Sequence, residues 1–297
     1  MPIPRLSPRI AIVQFQPKIG QIQANIAKAR ELCRGIPPRS IDLVCLPEMV
    51  FSGYVFESAA SIAPYLEHPR TGPTSTFCAE LARRLKCYVV AGYPERLEQS
   101  EVQQHLAETG TRVVGANSAA FYGPDGQWVG GYRKTNLFTT DKTWAKPGNG
   151  LATFALPPPL RTVSLGICMD LNPHPPPHSW TIENGPYEVA DHCLIEKTNV
   201  LVLLNAWLDS GEQTEDDYDM HTLDYWADRL RPLWLPSSPP SQETLVVVCN
   251  RGGAEKGKKF AGSSGAFRML QGRGKSGILR AALGREDEDV LVWDSST

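Results

Sequence analysis

No stretch of this 297-residue sequence approaches the ~18 consecutive apolar residues that a membrane helix needs, so a membrane is not an expected partner. A dominant charge is missing too: 30 Lys+Arg stand against 32 Asp+Glu, for a net charge of −2. Without a basic stripe or an aromatic stacking motif, nucleic acid is not expected either. The cluster Lys256, Lys258 and Lys259 lies among glycines and reads as a solvated loop. The opening MPIPRLSPRI holds no apolar signal-peptide core. The seven cysteines are an odd number and form no CxxC pair. That argues against a disulfide framework or a zinc knuckle, and no His/Cys/Asp cluster has ligand spacing. Free thiols suit a reducing compartment; the cytoplasm is the expected location, with the nucleus second.

What is present suits a sizeable buried core, with 41% hydrophobic and 21% charged residues. Short Val/Ile/Leu-rich runs read as strands buried on both faces: RIAIVQF near residue 9, IDLVCLPE at 41–48 and YVVAGYP at 88–94. RTVSLGICMD at 161–170, NVLVLLNAW at 199–207 and TLVVVCNR at 244–251 continue the series. Helical patterns fall between them. In IGQIQANIAKAREL, Ile22, Ile26, Ala29 and Cys33 share one face. TSTFCAELARRLK carries a similar stripe with Thr74 as its expected cap, and MHTLDYWADRLRPLW supplies a third helix. Such alternation argues for α/β layers. SAAFYGPDGQWVGGYRK reads as a hairpin turning at GPDG, and GSSGAFRMLQGRGKSG and DVLVWD as further antiparallel strands. Prolines at 157–159, 173–177 and 236–240 mark loops. With no repeat and no composition shift, one domain over 1–297 is expected.

Three residues stand out by position. Glu48 ends one apolar run, where a buried carboxylate is costly unless paired or hydrogen-bonded. Lys134 follows the hairpin, with Arg133 expected on the opposite side. Cys168 ends the next apolar run. Each alone has an ordinary reading: a salt-bridging glutamate, a solvated strand-end lysine, an inert buried thiol. Together they have a chemistry. A carboxylate can take a thiol proton, and an ammonium can stabilise both a thiolate and a developing oxyanion.

LPEMVFSGY, YRKTNLF and GICMD, in that order, make the sequence resemble the nitrilase superfamily, the carbon–nitrogen hydrolases. NAW at 205–207 and VCNRGG…FAGSSGAF extend the resemblance, which runs from Arg9 to about Trp293. It implies a four-layer αββα sandwich with neither metal nor organic cofactor. It also implies Glu48 as general base, Cys168 as nucleophile and Lys134 as stabiliser of the tetrahedral intermediate. The Met169 N–H would complete an oxyanion hole, and Asp170 would orient the site through hydrogen bonds. The NAW segment makes Asn205 and Trp207 supporting or substrate-binding candidates. One departure is clear: relatives often carry a second glutamate about eight residues beyond the lysine, where this chain has Lys142 preceded by Asp141. Either Asp141 takes the supporting role from a shifted loop, which is the favoured reading, or the role is filled elsewhere.

Within the superfamily, GICMDLNP, TDKTW and NAWLDS are similar to the fungal-type protein N-terminal amidase branch. That branch hydrolyses the side-chain amide of an N-terminal Asn or Gln, feeding degradation that reads N-terminal residues. The implied partners are peptide or protein N-termini; a homo-oligomer is left open. An α-ammonium would suit an acid near the pocket mouth, with Asp141, Asp209 and Glu212 as candidates. The alternatives are a small-molecule amidase with the same three residues, an ω-amidase or carbamoylase, and a non-enzymatic scaffold.

Overall fold

The computed structural model describes residues 7–174, 180–212, 216–235 and 242–296. The first half of the chain runs β1 (Arg9–Gln14), α1 (Ile22–Cys33), β2 (Leu43–Leu46), α2 (Ala59–Ile62), α3 (Pro73–Leu85) and β3 (Tyr88–Arg96). It continues through α4 (Gln99–Thr109) to the hairpin β4 (Gly115–Tyr122) and β5 (Trp128–Arg133). Next come β6 (Ala152–Ala155), β7 (Thr162–Ile167), α5 (Glu188–Ile195), β8 (Val200–Asn205), α6 (Met220–Arg229) and β9 (Glu243–Asn250). The short pair β10 (Ala254–Glu255) and β11 (Lys258–Lys259) precedes β12 (Gly265–Leu270), β13 (Leu279–Ala282) and β14 (Asp289–Asp294). Two six-stranded sheets result, ordered β14-β1-β2-β3-β4-β5 and β13-β12-β9-β8-β7-β6. Their centres are parallel and their edges antiparallel.

Strand parity explains the continuous apolar runs. Ile10, Ile12, Leu43, Cys45 and Val90 meet Val163, Leu165, Val200, Val202 and Val247 between the sheets. Their neighbours Ala11, Val13, Val44, Leu46 and Val89 face α1 and α3 through Ile26, Ala29, Phe77 and Leu81. On the other side, Leu201, Leu203, Val246 and Val248 pack on Val189, Cys193, Leu223 and Trp226 of α5 and α6. The layers are therefore helix, sheet, sheet, helix, and each central strand is covered on both faces.

The expected strands and helices form, with three differences. Thr74 lies inside α3, which starts at Pro73 after Gly72. The cap is supplied from a distance, by Glu67, which accepts from the Thr74 N–H (2.8 Å) and hydroxyl (2.7 Å). Helix α4 has no buried residue, so no apolar stripe announces it. Short β6 and α5 fall below the length at which periodicity separates strand from helix. The proline stretch 236–240 and residues 213–215 of the acidic run lie outside the described residues, as do 175–177 of the middle proline cluster. Among the described residues, no helix is long and apolar enough to cross a membrane.

Candidate active site

Each candidate follows the end of a strand, at one end of the sandwich. Strand β2 stops at Leu46, and Glu48 sits in the turn beyond it. Gly92 on the neighbouring β3 permits that turn. Its N–H donates to the Pro47 carbonyl (3.1 Å) and its carbonyl accepts from Val50 N–H (3.0 Å). A Cβ on Gly92 would lie 2.5 Å from the Glu48 Cα, so no larger residue fits under the turn. Lys134 comes one residue after β5. Its neighbour Arg133 points the other way, to Glu95 (2.6 Å) and Glu101 (2.7 Å). Cys168 opens a 3₁₀ turn directly after β7, with φ +45°, a left-handed conformation unusual for a residue bearing a Cβ. Its N–H donates to Asn205 Oδ1 at the end of β8 (3.1 Å).

Lys134 and Glu48 are fully buried, and they are joined. The Lys134 ammonium lies 2.7 Å from Glu48 Oε1 and 2.7 Å from Asp141 Oδ2. Glu48 Oε2 accepts from the Ala206 N–H at 2.7 Å. Burial works against the Lys134 charge, but Asp141 and Glu48 outweigh it and hold its pKa well above the ordinary lysine value. Burial pushes the Glu48 carboxyl above the usual range, and the Lys134 charge limits the rise. Burial and then the Glu48 carboxylate push the Cys168 thiol well up, while Lys134 opposes them. Burial thus favours the neutral form of the Cys168 thiol, and the Glu48 carboxyl is the group near it able to take its proton as it attacks.

Asp170 is a brace. Its Oδ2 accepts from Tyr132 Oη (2.5 Å) and Ile167 N–H (2.8 Å), its Oδ1 from Thr135 N–H (3.0 Å) and Asn136 N–H (2.8 Å). These bonds tie the Cys168 turn to the segment following Lys134. Met169 N–H lies in the first turn of that 3₁₀ helix, where donors have no acceptor within the helix. Cys168 and Met169 line a cavity of about 180 Å³ with Tyr54, Phe138, Asn172, Ala206, Trp207 and Leu208. Drug-sized ligands occupy roughly 300–1,000 Å³. The cavity is thus scaled to a small group such as a terminal carboxamide on a short arm. Trp207 forms one wall, backed by Tyr225 and Trp226 at 5.6 and 6.0 Å between ring centroids.

Residues 9–172 match the carbon–nitrogen hydrolase family. A protein N-terminal amidase of Schizosaccharomyces pombe is 31% identical over 92% of this chain and 96% of its own length. The chain belongs to the carbon–nitrogen hydrolase family. A protein N-terminal amidase of Saccharomyces cerevisiae is 24% identical over 71% of this chain and 47% of that protein. Among solved structures, an N-terminal amidase with an Asn-Glu-Ala peptide superposes with a TM-score of 0.80 at 18% identity, covering 98% of both chains. At that identity the likeness shows the shared sandwich.

Against the expectations for a carbon–nitrogen hydrolase, the structure brings Glu48, Lys134, Cys168 and Asp141 together, with Met169, Asp170, Asn205 and Trp207 around them. It does not bring the acids considered for an α-ammonium into the cavity. Asp141 is taken up by Lys134, by Asn117 and by Tyr54 Oη (3.3 Å). Asp209 pairs with Arg285 (3.3 Å) and Glu212 with His221 (3.0 Å). Sequence reasoning missed Asn117, because one asparagine in an apolar strand carries no spacing signal. It also missed the buried pair Arg251–Glu255 (2.5 Å). Glu255 accepts from the N–H groups of Tyr54 (2.8 Å) and Val55, holding the cavity wall that Tyr54 forms. Among the described residues no group of three or more His, Cys, Asp or Glu could hold a metal ion.

Proposed function

We propose that this protein hydrolyses the side-chain amide of an N-terminal Asn or Gln, leaving Asp or Glu and releasing ammonia. The observation that carries the reading is the 31% identity to a protein N-terminal amidase along nearly the full length of both chains. The site supplies the chemistry. Cys168 Sγ attacks the carboxamide carbon while its proton passes to Glu48. Lys134 and the Met169 N–H stabilise the tetrahedral oxyanion. The proton moves from Glu48 to the departing nitrogen, ammonia leaves, and a thioester remains on Cys168. Glu48 then takes a proton from water as its oxygen attacks the thioester, and the thiol is restored as the carboxylate leaves. Asp141 also holds Lys134, at 2.7 Å from its ammonium, the task expected of the second glutamate.

The thioester is directly observable. Acid quenching of a brief reaction with an Asn-led peptide should give intact protein heavier by the peptide mass less ammonia, with the adduct mapped to Cys168. An adduct on another residue, or turnover without any adduct under single-turnover conditions, contradicts the covalent route.

A further inference from the structure

We propose that Asn117 is a positioning residue for this hydrolysis, holding the Glu48 and Asp141 carboxylates against Lys134 and keeping Glu48 able to act as base. The proposal rests on the reading of Glu48 as the base for Cys168. Asn117 lies within β4, opposite Pro94 of β3, and is fully buried. Its Nδ2 donates to Glu48 Oε1 at 2.7 Å and to Asp141 Oδ1 at 3.1 Å. An amide NH₂ has two hydrogens to give, and here there are two carboxylates to receive them. The Lys134 ammonium contacts the same Glu48 oxygen and the other Asp141 oxygen, so lysine and amide close a ring of four side chains. The Asn117 backbone carbonyl also accepts from the Lys134 N–H at 2.8 Å. One residue thus sets both the backbone from which the lysine extends and the acids it meets.

The amide is held from its nitrogen side. Asn117 Oδ1 finds no hydrogen-bond partner. A buried acceptor left unpaired is uncommon, and its presence here indicates that the NH₂ group is what the position needs. The need follows from charge. Two buried carboxylates beside one ammonium repel each other, and such neighbours raise proton affinity unless donors favour the charged form. Among the described residues, the charged or titratable groups acting on Glu48 are Lys134, Asp141, Cys168, Tyr54 and, from the end of β9, Arg251. The Asn117 hydrogen bond lowers the proton affinity of Glu48, with Lys134 and against burial and Asp141. Without it, Glu48 keeps its proton to higher pH, and less enzyme carries a competent base.

The test is the pH dependence of Cys168 carbamidomethylation by iodoacetamide, followed by peptide mass in the wild type, Asn117→Ala and Asn117→Asp. This readout needs no substrate. The isosteric Asn117→Asp preserves the packing if the alanine variant folds poorly. In the wild type, alkylation should rise with pH as Glu48 loses its proton. In Asn117→Ala the midpoint should move up by about one pH unit, the value of one charge-assisted hydrogen bond in proton affinity. In Asn117→Asp, where an acid replaces the donor, it should move further. The acid limb of kcat for ammonia release should follow, with KM changing less than about twofold. Midpoints that stay in place while rate or thermal stability falls overturn the proposal and leave Asn117 a packing residue. A profile without an acid limb in the wild type overturns it too. If the midpoints move as stated but no N-terminal amide is hydrolysed, the substrate reading fails and the role of Asn117 stands.

Discussion

Cys168→Ala should abolish ammonia release, with a loss on the order of 10⁶ in kcat, as is typical when a nucleophile is removed from a catalytic set that acts as a unit. The fold should persist, for reasons visible at the residue. Alanine keeps the Cβ, so the left-handed φ of +45° is no more strained than before. The N–H that donates to Asn205 Oδ1 belongs to the backbone and survives the change. Cys168 is 6% exposed and its sulfur fills a small part of a cavity wall, so a stability cost of about 1 kcal/mol is expected. Cys168→Ser should retain at most a trace, because a hydroxyl surrenders its proton to Glu48 far less readily than a thiol. Steady-state kinetics with thermal melts checks both variants. Near-normal turnover by the alanine variant would remove Cys168 from the mechanism.

Lys134→Ala should cost less rate than Cys168→Ala, and it should also destabilise the protein. Loss of one oxyanion stabiliser costs on the order of 10²–10³ in rate. The ammonium also pairs with two buried carboxylates at 2.7 Å each. Removing one partner of a buried pair typically costs about 3–5 kcal/mol, because a charge is left uncompensated. Here the abandoned acid escapes part of that cost by taking a proton. The Glu48 carboxyl, already above the usual range through burial, then rises further. A raised folded-state pKa gives stability that is present below the unfolded value and lost as pH rises through the folded one. The deficit of Lys134→Ala relative to wild type should therefore be larger at pH 8 than at pH 5. Melting curves at the two pH values check this, and kcat measured beside KM separates the roles. A change confined to KM would make Lys134 a substrate anchor.

Much of this site was legible in the sequence because strand ends are easy to read. The apolar runs before Glu48 and Cys168, and the hairpin before Lys134, each stop within a residue or two of where the structure stops them. Runs apolar at every position mark strands covered on both faces, since only such a strand has no wet face, whereas the four-layer αββα order comes from the family resemblance. Asp141 could be named because it adjoins the position of an expected acid. What stayed hidden depends on long-range contact. Glu67 caps a helix begun at Pro73, the Arg251–Glu255 pair holds Tyr54, and Asn117 joins Glu48 to Asp141 across 69 and 24 residues of chain. No local pattern encodes such meetings. Asp209 and Glu212 could be read only as acids in a loop, and their contacts with Arg285 and His221 are likewise invisible to spacing.

One parallel measurement decides the substrate. Ammonia release should be followed for an Asn-led peptide, the same peptide with an acetylated terminus, and a free 2-oxo acid ω-amide. Acetylation removes the charge of the α-ammonium, so a site that recognises that cation loses its pairing. Rapid release is expected from the free Asn peptide, little from its acetylated form, and little from the free amide. Equal turnover of the acetylated and free peptides, or preference for the free amide, would contradict the proposed substrate.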